Sequence, residues 1–523
     1  MANKSLFKNT RGSTAPAADT VNEAGGLAYK LSDKAALSQY VATGCFGNTF
    51  YASAKEELKT VLALAHAVEP EFLAKLAVYA RGTHMKDTPA LLLAVLATKS
   101  PEMLRRVFSR VIDNGKMLRN YVQIVRSGQT GRKSLGTAGK RLIQRWLIER
   151  PPHKLFRDSV GDDPRLRDIM RMVHATPKDS SQESFWSYLV GKEKNPDLLP
   201  ELVKSFESFK KTQEGPVPEV SWEMLTALPL KPAHWKEIAQ KAGWQMLRMN
   251  LNTFKRHGVL EDKGMVALIA DRLRSHEEIA KARVFPYQLM MAYMAAEDMP
   301  REIDDALQGA METAIENVPE LPGKTWVFPD VSGSMHSPVT GGRGSATSKV
   351  QCVHVAGLVA AAVLRKNPGA GIIPFHDQVV DLRVNPRDSV MTNAHKFATC
   401  GSGGTDCSAP LQLLNLRKET GDTLIYVSDN QSWVDSWENA WMGGAQYATG
   451  TMQQWRAFKA RNPKAKLVCI DLQPNKTAQV KEGEKDVLQV GGFSDRVFDI
   501  VKLFAQDRLG ADHWVGVIDK TEI

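Results

Sequence analysis

The chain has 523 residues, 43 % of them hydrophobic and 24 % charged, with a net charge of +10. That is enough for two or three domains with a large core, in an ordinary soluble composition. The longest uncharged apolar run, residues 355–364, is far too short to span a bilayer, which argues against a helical membrane protein and against a membrane partner. The start Met1-Ala2-Asn3-Lys4-Ser5-Leu6 lacks the apolar core of a signal peptide. Cys45, Cys352, Cys400, Cys407 and Cys469 form no Cys-x-x-Cys pair and leave an odd count, which favours reduced thiols and a cytoplasmic location over a disulfide scaffold.

Residues 1–25, rich in Ser, Thr, Ala, Asn and Gly, read as a flexible N-terminal segment. Residues 26–320 carry helical periodicity, as in Leu58, Val61, Leu62, Ala65 and then Phe72, Leu73, Leu76. Pro70-Glu71 and Pro101-Glu102 both read as helix starts, with proline in the first turn and an acid beside the positive end of the helix dipole. They stand about 31 residues apart with another helical run between them, the period of a two-helix unit. The spacing predicts an α-helical, HEAT-like repeat domain, with a plain bundle as the alternative. Pro216-Val217-Pro218 lies in a linker inside this region. Helical runs resume at residues 235–249, 265–274 and 287–296.

Leu321-Pro322-Gly323 marks a boundary. Over residues 324–523, strands at 326–328, 371–375, 423–427 and 466–470 alternate with helices at 349–365, 409–417, 452–461 and 494–505. Such alternation predicts a doubly wound, Rossmann-like α/β domain with a parallel sheet. The first strand runs into Asp330-Val331-Ser332-Gly333-Ser334, which puts a carboxylate and two hydroxyls on a tight loop at the carboxyl edge of the sheet, where ligands bind in such folds. Gly403-Gly404-Thr405-Asp406 adds a hydroxyl on a Gly-rich loop, and Tyr426-Val427-Ser428-Asp429 adds a carboxylate at another strand end. All are oxygen donors suited to a hard divalent cation, Mg2+ above all. Asp330, Ser332, Ser334, Thr405 and Asp429 together resemble the metal-ion-dependent adhesion site of von Willebrand A domains.

The charge is unevenly placed. Residues 101–178 hold 18 basic and 7 acidic side chains, a net +11, whereas the chain from Lys324 onward carries only +2. Clustered Lys and Arg neutralise phosphates and release counterions, so this segment predicts salt-sensitive RNA binding. Arg119, Arg132, Lys133, Lys140, Arg141 and Arg145 are its candidates, the last three spaced to share a helix face. His174 reads either as a histidine capped in a turn or as a contact that stacks on an RNA base. Arg248, Asn252, Lys255 and Arg256 form a second group that mixes cations with an amide near Phe254, against the alternative of an amphipathic helix ending at Gly258.

A basic helical-repeat region followed by an A-type domain resembles the Ro autoantigen family, whose helical part is the TROVE domain. Gly44-Cys45-Phe46-Gly47-Asn48-Thr49-Phe50-Tyr51 looks like that family's Gly-rich, Thr-aromatic-Tyr motif. Leu76-Ala77-Val78-Tyr79-Ala80-Arg81 followed by Met85-Lys86, Gly139-Lys140-Arg141 through Arg145-Trp146, and Val173-His174 with Pro177 resemble its later motifs. Pro151-Pro152-His153-Lys154 departs from the family's Lys-Tyr-Lys-rich helix. The resemblance implies a closed ring of helical repeats acting as a monomer. It implies small noncoding Y-type RNA on the outer surface and single-stranded ends of structured or misfolded RNA in the central hole. It also implies work with an exoribonuclease, such as polynucleotide phosphorylase, in RNA quality control.

No zinc cluster and no Ser-His-Asp arrangement emerges from the motifs, and a two-metal nuclease wants more clustered carboxylates. A non-enzymatic RNA-binding protein is the leading expectation. A cation-dependent protein-interaction scaffold and a Mg2+-dependent nuclease are the alternatives.

Overall fold

The structure, a computed structural model, describes residues 15–43, 46–192, 195–282, 284, 286–296, 298–342, 349–435, 447–492, 495–510 and 512–523. Residues 1–14 of the expected flexible segment, together with Gly44, Cys45 and Ser494, lie outside the described residues. Two compact units divide the chain. One comprises Ala65–Arg272, Asp298–Ile303 and Thr521–Ile523; the other comprises the described residues up to Leu64, Leu273–Glu297 and Asp304–Lys520.

The second unit begins with β1 (Thr20–Val21), β2 (Leu27–Lys30) and α1 (Asp33–Thr43). The expected flexible segment is therefore ordered from residue 15 onward. β1 pairs antiparallel with β2, and β2 pairs with β7 (Thr477–Ala478) far along the chain. Asn22 is buried, and its amide donates to the Ser432 carbonyl. Gly26 presses so closely on that loop that a Cβ would sit 2.2 Å from the Ser432 oxygen.

The helical unit stacks α2 (Pro70–Gly82), α3 (Asp87–Lys99), α4 (Pro101–Val111), α5 (Gly115–Ser127), α6 (Gly136–Glu149), α7 (Pro152–Asp158), α8 (Leu166–Val173) and α9 (Ser180–Val190). Each packs on the next but one, α2 on α4, α3 on α5, α4 on α6 and α6 on α8, the two-layer pattern of helical-pair repeats. The sequence reasons are local. The Ser100 hydroxyl caps α4 from the Met103 N–H, with Pro101 in the first turn. Leu104, Val107, Phe108 and Val111 form one buried stripe. α3, flanked on both sides, is buried continuously from Thr88 to Ala97. The Asp158 carboxylate ties α7 to α5, accepting from Arg150 Nε at 2.6 Å and from the Gly115 N–H at 2.8 Å. Farther on, α10 (Trp244–Met249) and α11 (Leu251–Arg256) end at Gly258, whose φ of 72° needs glycine. The single helix expected over 235–249 is two, broken at Ala242-Gly243.

The sheet-bearing unit is built on five parallel strands in the order β4-β3-β5-β6-β8, with β3 (Thr325–Pro329), β4 (Gly371–Ile372), β5 (Thr423–Ser428), β6 (Lys466–Asp471) and β8 (Val487–Gly491). β5 is buried throughout, as expected of a strand covered on both faces. The helices are α12 (Cys352–Lys366), α13 (Val390–Thr399), α14 (Ala409–Leu416), α15 (Gly450–Arg461), α16 (Asp495–Ala505) and α17 (His513–Asp519). The four expected strands and helices are present; β7, β8, α13 and α17 come in addition.

The expected division of the chain at residues 320–324 is not where these units part. Residues 26–64 and 273–297 belong with the sheet. Tyr29 of β2 is fully buried in the cluster formed by Phe328, Phe375, Tyr426, Trp455 and Phe458, and helix Pro286–Ala295 packs on α12. Hydrophobic periodicity says that a face is buried but not against which core.

Candidate functional site

After β3 the chain turns to β4 on one side, then crosses back to place β5 on the other. β3 and β5 are thus neighbours at the point where the strand order reverses, and the crevice above their carboxyl ends is the ligand position of a doubly wound sheet. Asp330 follows β3 and Asp429 follows β5. The Asp330 N–H donates to the Val427 carbonyl at 3.0 Å, the Gly333 N–H to the Gly403 carbonyl at 3.0 Å and the Trp433 N–H to the Thr405 carbonyl at 3.0 Å. Backbone bonds therefore lock three loops together.

Asp330, Ser332, Ser334, Thr405 and Asp429 are each no more than 5 % exposed. Asp330 accepts from the Ser332 N–H at 2.9 Å and from the Ser428 hydroxyl at 2.6 Å; the Ser332 and Ser334 hydroxyls lie 3.3 Å apart. Asp429 Oδ1 takes the Gln431 N–H at 3.4 Å, while its Oδ2 is buried with no hydrogen-bond partner among the described residues. Burial holds both carboxyls above the usual range, and the charge of Asp330 adds to the rise at Asp429. Asp471, at the end of β6, is pushed up by burial and by Asp429, and it accepts from Gln39 Nε2 at 2.9 Å. An orphaned carboxylate oxygen beside buried hydroxyls is a costly arrangement unless a cation completes it. The donor set, all oxygen, fits Mg2+. A group of three or more His, Cys, Asp and Glu side chains able to hold a metal is absent among the described residues, so hydroxyls make up much of the donor set.

Three aromatic side chains stand at this site. Trp433, Phe50 and Tyr51 line a cavity of about 710 Å3 with Ser334, Gly403, Gly404 and Thr405. Tyr51 is half-buried there, and burial together with Asp429 raises its pKa. The sequence offered Phe50 and Tyr51 only as part of a motif in an N-terminal stretch; nothing local to it points at a strand end some 280 residues away.

In the helical unit the basic candidates divide. Arg119 Nη1 donates to the Asp158 carbonyl at 2.9 Å, and Arg132 donates to the Ala97 and Ser134 carbonyls. These two guanidiniums hold loops rather than face solvent. Lys133 is exposed, its stem lying over Gly128, and Lys140 is half-buried. Arg141 and Arg145, one turn apart on α6, are exposed and make no ion pair among the described residues. Gln144, between them, donates to the Val173 carbonyl at 2.7 Å, which brings α6 beside exposed His174, the left-handed C-cap of α8. The second group spans α10 and α11. Arg248 bonds Gln245 Oε1 at 2.9 Å, Lys255 lies 3.9 Å from Asp298, and Asn252 and Arg256 are exposed.

The architecture defines a class: a helical-repeat unit joined to an A-type α/β unit with a cluster of buried oxygen donors at its switch point. A family described as the Ro60 vWA domain matches residues 324–505, and the TROVE domain matches residues 215–313. The RNA-binding protein RO60 of Deinococcus radiodurans is 24 % identical over 93 % of this chain and 95 % of its own length. The RNA-binding protein RO60 of Caenorhabditis elegans is 22 % identical over 48 % of this chain and 38 % of its own. The crystal structure of the Deinococcus radiodurans RO (RSR) protein superposes with a TM-score of 0.61 at 19 % identity, covering 91 % of this chain and all of that one, a likeness of fold. The chain thus resembles the Ro family through both of these domains. No helix among the described residues is long and apolar enough to cross a membrane.

Proposed function

We propose that this chain is a non-enzymatic RNA-binding protein whose helical unit holds RNA on the α6 face, with a divalent cation site in the sheet-bearing unit. The observation that carries the reading is the pair Arg141 and Arg145, exposed on one face with His174 fastened beside them through Gln144. Cations free of protein partners neutralise phosphates, and an exposed imidazole at a helix end can stack on a base. Two relatives named as RNA-binding proteins support it. In its finer form the reading takes Y-type RNA on the outer surface, single-stranded ends of misfolded or structured RNA in a central hole, and an exoribonuclease as partner, in the cytoplasm.

Mg2+ would be held by Ser332, Ser334 and Thr405, with Asp330 and Asp429 supplying negative charge; the unpartnered Asp429 oxygen supports this. A cation held there would supply positive charge to attract an anionic oxygen. Ser428 and the Ser332 N–H keep the Asp330 carboxylate oriented.

The test is binding of a structured small RNA with a single-stranded 3′ tail, titrated against salt, with a Mg2+ chelator as a separate arm. Tight, steeply salt-dependent binding that weakens and flattens in Lys140→Ala/Arg141→Ala/Arg145→Ala is expected. Weak binding that the triple variant leaves unchanged would remove the RNA reading and favour the scaffold.

A further inference from the structure

The cavity in front of the cation site has an unusual lining. Its walls include Phe50, Tyr51 and Trp433, its loop is Gly403-Gly404, and none of the described residues that line it carries a formal charge. Phe50 is 59 % exposed, and its ring meets that of Tyr51 edge to face, the centroids 4.8 Å apart. Tyr51 lines the cavity together with Ser334, so the aromatic pair stands beside a hydroxyl of the cation site itself. Gly404 lies against Trp433, where a Cβ would come within 3.0 Å of the indole, so the loop can pass the ring only without a side chain.

A partner that enters this space meets one electrophilic position and, beyond it, flat uncharged surface. An acidic peptide satisfies the first requirement with a single carboxylate. Its amides and neighbouring side chains then find few polar groups and no charged ones. A nucleotide satisfies both. Its phosphate oxygens are the ligands that Mg2+ takes besides a few protein oxygens, and its base stacks on an aromatic face without a charged reader. A terminal phosphate monoester, with more negative charge than an internal diester, complements a lone cation better.

We propose that this cavity takes the phosphate-bearing terminal nucleotide of an RNA, with the phosphate at the cation site and the base on Phe50. The proposal rests on the cation reading above, and its test separates the two. Mn2+ binding to the wild type, to Phe50→Ala and to Ser332→Ala/Ser334→Ala is read first by electron paramagnetic resonance. A wild type that holds no Mn2+ refutes the cation reading and the proposal with it. A 5′-phosphorylated dinucleotide with 2-aminopurine as its terminal base is then titrated in Mg2+, the quenching of its fluorescence reporting stacking. Binding is expected to fall about tenfold or more in Phe50→Ala, to fall likewise without the 5′-phosphate or with chelator, and to return in Phe50→Trp. Phe50→Ala should still hold Mn2+, which shows that the unit remains folded. If the wild type holds Mn2+ but binds the dinucleotide with no dependence on Phe50 or on the phosphate, the proposal fails. It fails equally if an aspartate-containing peptide, and not the dinucleotide, occupies the Mg2+-loaded site.

Discussion

The division of the basic side chains on the helical unit sets up a quantitative contrast. Arg141 and Arg145 are exposed, whereas Arg119 and Arg132 spend their donors on backbone carbonyls. For single-stranded nucleic acid the slope of log affinity against log salt falls by about 0.7 for each phosphate neutralised. Arg141→Ala/Arg145→Ala should therefore flatten the slope by about 1.4. Between about 50 and about 200 mM salt, the wild type then loses roughly sevenfold more affinity than the variant. Arg119→Ala/Arg132→Ala should leave the slope alone and lower the melting temperature of the helical unit, since the carbonyls of Asp158, Ala97 and Ser134 lose these donors. Fluorescence anisotropy with a tailed RNA at several salt concentrations, beside thermal melts of each variant, reads both effects. Equal slopes for wild type and Arg141→Ala/Arg145→Ala would refute the assignment of phosphate contacts to α6, and so would an equal loss of slope in Arg119→Ala/Arg132→Ala.

Mg2+ at about a hundred times its dissociation constant should stabilise the sheet-bearing unit by about 2.7 kcal/mol; Ser332→Ala/Ser334→Ala should show no such gain in melts with and without chelator. Glu57 is 3 % exposed, and burial pushes its carboxyl up to about 7, the Thr49 hydroxyl offsetting part of the rise. Its neutral form is the one the fold favours, so stability present at low pH is lost as pH rises from about 4.5 to about 7, about 3 kcal/mol in all. Glu57→Gln should melt like the wild type near pH 5 and at higher temperature near pH 8; a variant with the same pH dependence as the wild type would refute the link. Asp158→Ala leaves Arg150, 17 % exposed, without its 2.6 Å partner and the Gly115 N–H without an acceptor, and should cost about 3–5 kcal/mol in urea unfolding of the helical unit.

What could be read from the chain without its structure was whatever is local. Asp330-Val331-Ser332-Gly333-Ser334 and Asp429 each follow an apolar run, Gly403-Gly404-Thr405 is marked by its glycines as a loop, and a strand end followed by oxygen donors defines its own place on a parallel sheet. Pro70 and Pro101 similarly announce helix starts that the structure contains. The register of the N-terminal stretch was not legible. Tyr29 is an ordinary strand residue until β2 pairs with β7, and Trp433 and Phe50 are ordinary aromatics until they meet at one cavity. Charge counting found the basic segment but not its division, because a count cannot see that carbonyls of Asp158, Ala97 and Ser134 occupy the donors of Arg119 and Arg132.

The pairing of Lys30 with Thr477 also orders events during synthesis. A ribosome adding about 5–20 residues per second needs roughly 20–90 s to travel between those two positions. Throughout that interval β2 has no β7 to pair with, and the core that Tyr29 enters, which runs as far as Val487, is incomplete. The helices of Ala65–Arg272, whose contacts are short in sequence, emerge complete in the meantime and can fold at once. The first strands made are thus among the last to be placed, and for most of translation the nascent chain carries an unpaired strand edge that a chaperone or a neighbouring chain can reach.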